Sequence, residues 1–181
     1  MKLTKVMTIG AVLSLSYGLI ACSEKQAEVK VEETEAKATG LEALVVAEEP
    51  AEAVSIAALR GAAKAGDEVT FTGKLIGNQT VLMDGRAIMV MGDPAKLTSC
   101  DLRPGDNCQM PWDVCCDDFD AIKANIVTVQ VVDADGKPLK QGLRGVGGIQ
   151  ELSMVTVTGT VDAVSNADNM VVNAKSLFVK K

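Results

Sequence analysis

The fold this sequence predicts is all-β: a small five-stranded barrel with a short N-terminal helix and a cysteine-rich loop between its second and third strands. Three observations predict it. The segments 69–75 and 155–161 alternate apolar and polar residues with a period of two, as half-buried strands do. They also share a pattern, Val69-Thr70-Phe71-Thr72-Gly73 and Val155-Thr156-Val157-Thr158-Gly159, which places a glycine at the same interior position of each. Four of the five cysteines fall within 100–116, inside the long stretch between the second and third strands.

The elements can be justified in chain order. Lys2 and Lys5 precede an apolar run, 6–20, broken by Thr8, Gly10, Ser14, Ser16 and Gly18. Such a run suits the core of an export signal and is too short and polar to span a bilayer, which takes roughly 20 apolar residues. It closes on Leu19-Ile20-Ala21-Cys22, which resembles the lipobox of bacterial lipoproteins. That resemblance implies removal of residues 1–21 and acylation of Cys22 with diacylglyceryl and N-acyl chains, palmitate among them. Several chains anchor durably where one holds only marginally. Ser23, in place of an aspartate at the next position, implies the outer membrane, facing the periplasm; an inner-membrane or secreted protein is the alternative.

Residues 22–53 are expected to be a lipidated, flexible acidic tether. The stretch 23–53 carries nine Glu, three Lys and no aromatic residue, too little apolar surface to offset its ordering entropy. An amphipathic helix around Leu41, Leu44 and Val45 is the alternative. Residues 54–181 then form the folded domain, with 15 acidic and 13 basic residues.

Within that domain Ser55 reads as an N-cap, with Ile56, Leu59 and Ala63 on one face and Gly66 as terminator, predicting a helix over 55–65. Strands follow at 69–75, at 87–91 after an Asp84-Gly85 turn, at 127–131 before an Asp135-Gly136 turn, at 155–161, and at 170–179. Gly73 and Gly159 predict bulges or bends at a barrel corner. Five strands, with one long excursion after the second and an irregular piece after the third, resemble the OB-fold over 69–179. A β-sandwich is the alternative. Pro138, Gly142, Gly145, Gly147 and Gly148 argue against a full helix in 137–153, and Gly145-Val146-Gly147-Gly148 lacks the ending of a phosphate loop.

Composition removes whole classes of chemistry. There is no His, so histidine triads, Cys-His dyads and histidine-ligated metals are excluded. The sole Tyr, Tyr17, lies in the signal, leaving Phe71, Trp112, Phe119 and Phe178 as the aromatics of the exported chain. A near-neutral domain with so few stacking residues is poorly equipped for nucleic acid.

The loop 93–120 holds seven Asp against Lys96 and Arg103, and all four remaining cysteines, Cys100, Cys108, Cys115 and Cys116. An even number in an oxidising compartment predicts two disulfides. Bonding adjacent Cys115 to Cys116 would strain the ring, which leaves 100–115 with 108–116, or 100–116 with 108–115. A tetrathiolate metal site would use the same four residues, although gaps of seven, six and none depart from the Cys-x2–4-Cys pairs of zinc sites. A redox role is opposed by Asp113, Asp117, Asp118 and Asp120, whose charge disfavours a thiolate. These carboxylates suit a hard cation chemically, but their spacing is not that of a calcium loop; a solvated acidic loop is the simpler account.

The run Pro111-Trp112-Asp113-Val114-Cys115-Cys116, with Gly85-Arg86-Ala87, Asp93 and Cys100 before it and Val129-Gln130-Val131-Val132-Asp133 after it, resembles a family of exported bacterial proteins of undefined activity. The resemblance spans most of 59–179 and implies an OB-fold-like domain behind a signal. Val114 stands where that family leads one to expect an aromatic residue, usually Tyr, and no catalytic residues carry over. The expected function is accordingly non-enzymatic binding of a protein or small molecule. Trp112, Asp113, Asp117 and Asp118 are the candidate contacts, Cys22 the membrane anchor, and no cofactor is expected beyond a possible metal ion. A metal or thiol-redox protein, and then a nucleic-acid binder, are the alternatives.

Overall fold

A computed structural model describes residues 40–181, except 106. The signal 1–21, Cys22 and the tether as far as residue 39 lie outside the described residues. Among those described, no helix is long and apolar enough to cross a membrane. The elements run β1 (Val54–Ser55), α1 (Ile56–Ala62), β2 (Glu68–Lys74), β3 (Ile88–Gly92), α2 (Phe119–Ala124), β4 (Ile126–Gln130), β5 (Met154–Val161) and β6 (Val171–Val179), with single 3-10 turns at Glu42–Leu44, Cys100–Leu102 and Val146–Gly148.

Strands β2-β3-β4-β6-β5 hydrogen-bond in that order, and β5 returns to β2, closing a five-stranded barrel to which β1 adds a short parallel pairing. This is the small OB-fold-like barrel the sequence predicts, and its closure excludes the open sandwich. The two similar strands face each other. Seven consecutive antiparallel pairs run from Glu68↔Thr160 to Lys74↔Met154, so that Gly73 sits opposite Val155 and Gly159 opposite Val69. Threonines align on one face, with Thr72 Oγ1 2.8 Å from Thr156 Oγ1 and Thr70 Oγ1 3.2 Å from Thr158 Oγ1. Cross-strand hydroxyl and β-branched pairs of this kind favour the ladder. On the inner face Phe71, Val155 and Val157 are fully buried.

Only Gly159 makes the predicted bulge; β2 keeps unbroken register with β5 through Gly73, where the glycine serves packing instead. A Cβ on Gly73 would lie 2.4 Å from Ile56 Cδ1, so its absence lets α1 seat over the barrel end. At Gly159 the register slips by one residue against β6, pairing Thr158 with Ser176 and Gly159 with Ala174. The bulge brings the Asn173 carbonyl oxygen within 2.3 Å of where a Cβ would stand. The extra residue, Lys175, projects outward to Glu68 at 2.7 Å.

Helix α1 starts where expected, with Ser55 Oγ accepting from Ala58 N, and buries Ile56 and Leu59. It ends at Ala62 rather than reaching 65, because Ala63 is already extended. Asp93 adds a tie that sequence reasoning did not assign. Its carboxylate, 2 % exposed, accepts from Ala57 N and Ala95 N, both at 2.9 Å.

The tether as expected, 22–53, needs correction at its C-terminal end. Leu41 is fully buried in the core, Val45 pairs with Leu177, and Val46 N donates to Leu177 O at 2.9 Å. Leu41, Leu44 and Val45 supply apolar surface as the helical alternative required, but as a 3-10 turn followed by extended chain. The segment 137–153 lacks a full helix, as its glycines predicted, and buries Leu143, Val146 and Ile149 through turns.

Asp162 joins three strands at one end: its carboxylate accepts from Asn173 Nδ2 at 2.7 Å, Gln130 Nε2 at 3.5 Å and Val164 N at 2.9 Å. The Val164 amide, then Asn173, holds the carboxyl below its ordinary value. In Glu151 the Arg144 ion pair does the same.

Two measurements test this account. Gly159→Ala is expected to cost roughly 2–4 kcal/mol by overpacking. Gly61→Ala, inside α1 with nothing within 4 Å, should gain about 0.5–1 kcal/mol; urea midpoints read both. Since the depressed carboxyls contribute stability above the unfolded pKa of about 4, unfolding free energy should fall as pH drops below that value. Asp162→Asn should flatten this acid limb.

Candidate binding lobe

The chain leaves β3 at Gly92 and returns to the barrel at β4, and the residues between fold into a lobe with its own small core. Ile76, Leu97, Val114 and Ile122 are buried together, with Trp112, Ile126 and Leu152 packed against them. Val114 is fully buried here, so the position where an aromatic was expected faces inward rather than toward a ligand.

Backbone pairing fixes the lobe. Cys100 N donates to Asp113 O at 2.8 Å and Asp101 N to Pro111 O at 2.9 Å, which lays the Cys100 segment against the Trp112 segment. Gly77 N donates to Trp112 O at 3.2 Å, attaching that segment to the strand leaving β2. At the start of α2, Asp118 caps the helix, accepting from Asp120 N and Ala121 N at 3.0 and 3.1 Å. Asp117 accepts from Thr98 N at 2.7 Å and pairs with Arg103. Two of the predicted contact residues therefore hold the lobe's own shape.

Trp112 belongs to both cores. Its ring packs against the barrel cluster and the lobe cluster, and Nε1 donates to Gln79 O at 2.7 Å. It works as a hinge pin between the two, which makes it a poor surface anchor.

Asp113 differs from its acidic neighbours. It is 4 % exposed, and Oδ1 has no hydrogen-bond partner among the described residues. A buried polar atom without a partner costs about 1–3 kcal/mol, more when charged. The residue lines a recess of about 290 Å³ with Asn78, Gln79, Cys115, Asp117 and Phe119. Sequence reasoning missed Asn78 and Gln79, which look like ordinary turn residues until the lobe folds over them.

The cysteines converge. Cys100 and Cys115 place their sulfurs 3.9 Å apart, Cys115 and Cys116 4.0 Å, and the sulfurs of Cys100, Cys108 and Cys115 all lie within 4.8 Å of one another. A disulfide needs about 2.05 Å, and no described pair stands at that distance. The structure thus gathers the four residues as expected, without forming either expected pairing. Cys100 is buried, Cys108 half-buried, and Cys115 and Cys116 are exposed. Contact with the Cys100 thiol favours the Cys115 thiolate, but Cys116, desolvation and the Asp113 charge act against it, and the net effect holds this thiol above its ordinary value. That agrees with the argument against a reactive redox cysteine.

Replacing Trp112 with Ala should cost about 3–5 kcal/mol and disorder the lobe before the barrel. Trp112→Phe, which keeps the packing and loses the bond to Gln79, should cost only about 1 kcal/mol. Hydrogen exchange resolved by segment would check both; protection in the lobe unchanged by Trp112→Ala contradicts the hinge role.

No family model, curated protein or solved structure matches this chain.

Proposed function

We propose that this protein is an exported lipoprotein whose barrel displays a non-enzymatic binding lobe at a membrane surface. The lipobox-like Leu19-Ile20-Ala21-Cys22 supports the anchor. On this reading Cys22 carries the lipid at the periplasmic face of the outer membrane.

The observation that carries the binding reading is Asp113 Oδ1, buried beside a recess and without a hydrogen-bond partner among the described residues. Natural folds satisfy nearly all buried polar groups, and the exceptions call for a functional explanation. A ligand entering between Asn78, Gln79 and Cys115 would supply what Asp113 lacks. Nucleic acid fits less well. Phe71 is fully buried and the Trp112 ring packs between the two apolar clusters, so neither offers a stacking face.

Intact-mass analysis of the protein purified from membranes of a Gram-negative host tests the anchor. The expected product begins at Cys22 and carries acyl chains, whereas Cys22→Ala abolishes acylation and membrane retention. Recovery of the uncut chain from the cytosol would sink the proposal.

A further inference from the structure

We infer that Cys100, Cys108 and Cys115 form a three-thiolate site for a divalent thiophilic cation of the Zn²⁺ kind, with one coordination position left open. This rests on reading the lobe as the binding element and names its ligand class.

The spacing of the sulfurs carries the inference. With metal–sulfur bonds of about 2.3 Å, neighbouring sulfurs around one ion stand about 3.8–4.0 Å apart, whether the arrangement is tetrahedral or trigonal. Cys100 and Cys115 are 3.9 Å apart and Cys108 lies within 4.8 Å of both. Small adjustments of one half-buried side chain complete the triangle. The Cys100 backbone is held by its amide donating to Asp113 O at 2.8 Å, and the Cys108 thiol is oriented by donating to Met110 O at 3.5 Å. A preorganised set of this kind costs little to assemble around an ion.

Charge selects the valence. Binding displaces one proton from each sulfur to solvent. A divalent ion then leaves the site with one net negative charge, and a monovalent ion leaves two. In a lobe with seven Asp against Lys96, Arg103 and Lys123, the smaller negative charge is favoured. The acidic surface also draws cations toward the opening.

Three protein ligands leave one position for an exchangeable group, the arrangement of working zinc sites rather than of closed structural ones. Cys115 is exposed and lines the recess with Asp113, so that position opens toward the unsatisfied carboxylate. A water or a donor atom of a second molecule there can hydrogen-bond Asp113. The lobe then holds its ion while presenting it to another ligand.

The acylated full chain, purified under argon after mild reduction, is titrated with Co²⁺ and then Zn²⁺. One equivalent of Co²⁺ should produce a thiolate charge-transfer band in the near ultraviolet, and Zn²⁺ should abolish it. The buffer dependence of the Zn²⁺ binding enthalpy should report one proton released per ligating sulfur. Cys115→Ser, at an exposed position the fold tolerates, should weaken binding by at least about 100-fold, beyond the 10–100-fold that losing an outer-shell partner costs. Cys116→Ser should stay within about threefold of the native affinity. An absent charge-transfer band, or equal losses from Cys116→Ser and Cys115→Ser, would overturn the assignment. So would two intact disulfides in the protein as isolated. A chain that binds Co²⁺ but lacks acyl groups sinks the membrane anchor alone; an acylated chain that ignores Co²⁺ sinks this inference alone.

Discussion

The pairing of β2 with β5 is the constraint from which the remaining structure follows. Seven consecutive rungs set the register, and the duplicated Val-Thr-x-Thr-Gly pattern makes that register self-consistent. Apolar residues from both strands turn inward together, threonines meet on the other face, and each glycine lies across from a valine. A slip by one residue would send every inward side chain to solvent. With this pair fixed, β2 reaches β3 only at Lys74↔Gly92, and the long chain between β3 and β4 is left to fold on its own beside the barrel end.

The lobe's freedom explains why it looks unlike the barrel. It has few ladder bonds and uses side chains in their place: Asp118 caps α2, Asp117 joins Thr98 to Arg103, and Asp93 ties the start of the loop to α1. Three of the aspartates that read in sequence as charged surface are thereby spent on backbone amides. Asp113 differs in that its Oδ1 is buried with no hydrogen-bond partner among the described residues, and it sits beside the sulfur cluster. The lobe's chemistry is concentrated where its structural demands are already met.

Much of this was legible in the sequence, for physical reasons that differ by element. Strand periodicity placed β2 and β5 within a residue of their observed ends because each has one face inside and one outside. Gly73 and Gly159 stood out because only glycine permits the close approaches found there, although only Gly159 makes the expected bulge. Ser55 marked the start of α1 through a local hydrogen bond. What stayed hidden depends on distant partners. Nothing local distinguishes Asp113, unsatisfied, from Asp118, a cap; the difference arises when the Cys100 segment pairs with it. Helix α2 has only six residues and no strong period. Trp112 fitted surface and core equally well until two apolar clusters were seen to meet on it.

Leu41 misled in the opposite direction, because its acidic neighbours resemble a linker while the residue itself fills the barrel wall. The folded unit consequently includes Leu41 and the run that follows it to β1. A fragment cut at Val54 would uncover an apolar slot and strip the outer half of β6 of the backbone that Val45 and Val46 lend it. An exposed strand edge bordered by hydrophobic surface is a template for other chains. The short run before β1 thus guards against self-association, which gives selection a reason to keep it apart from any role in holding the protein near a membrane.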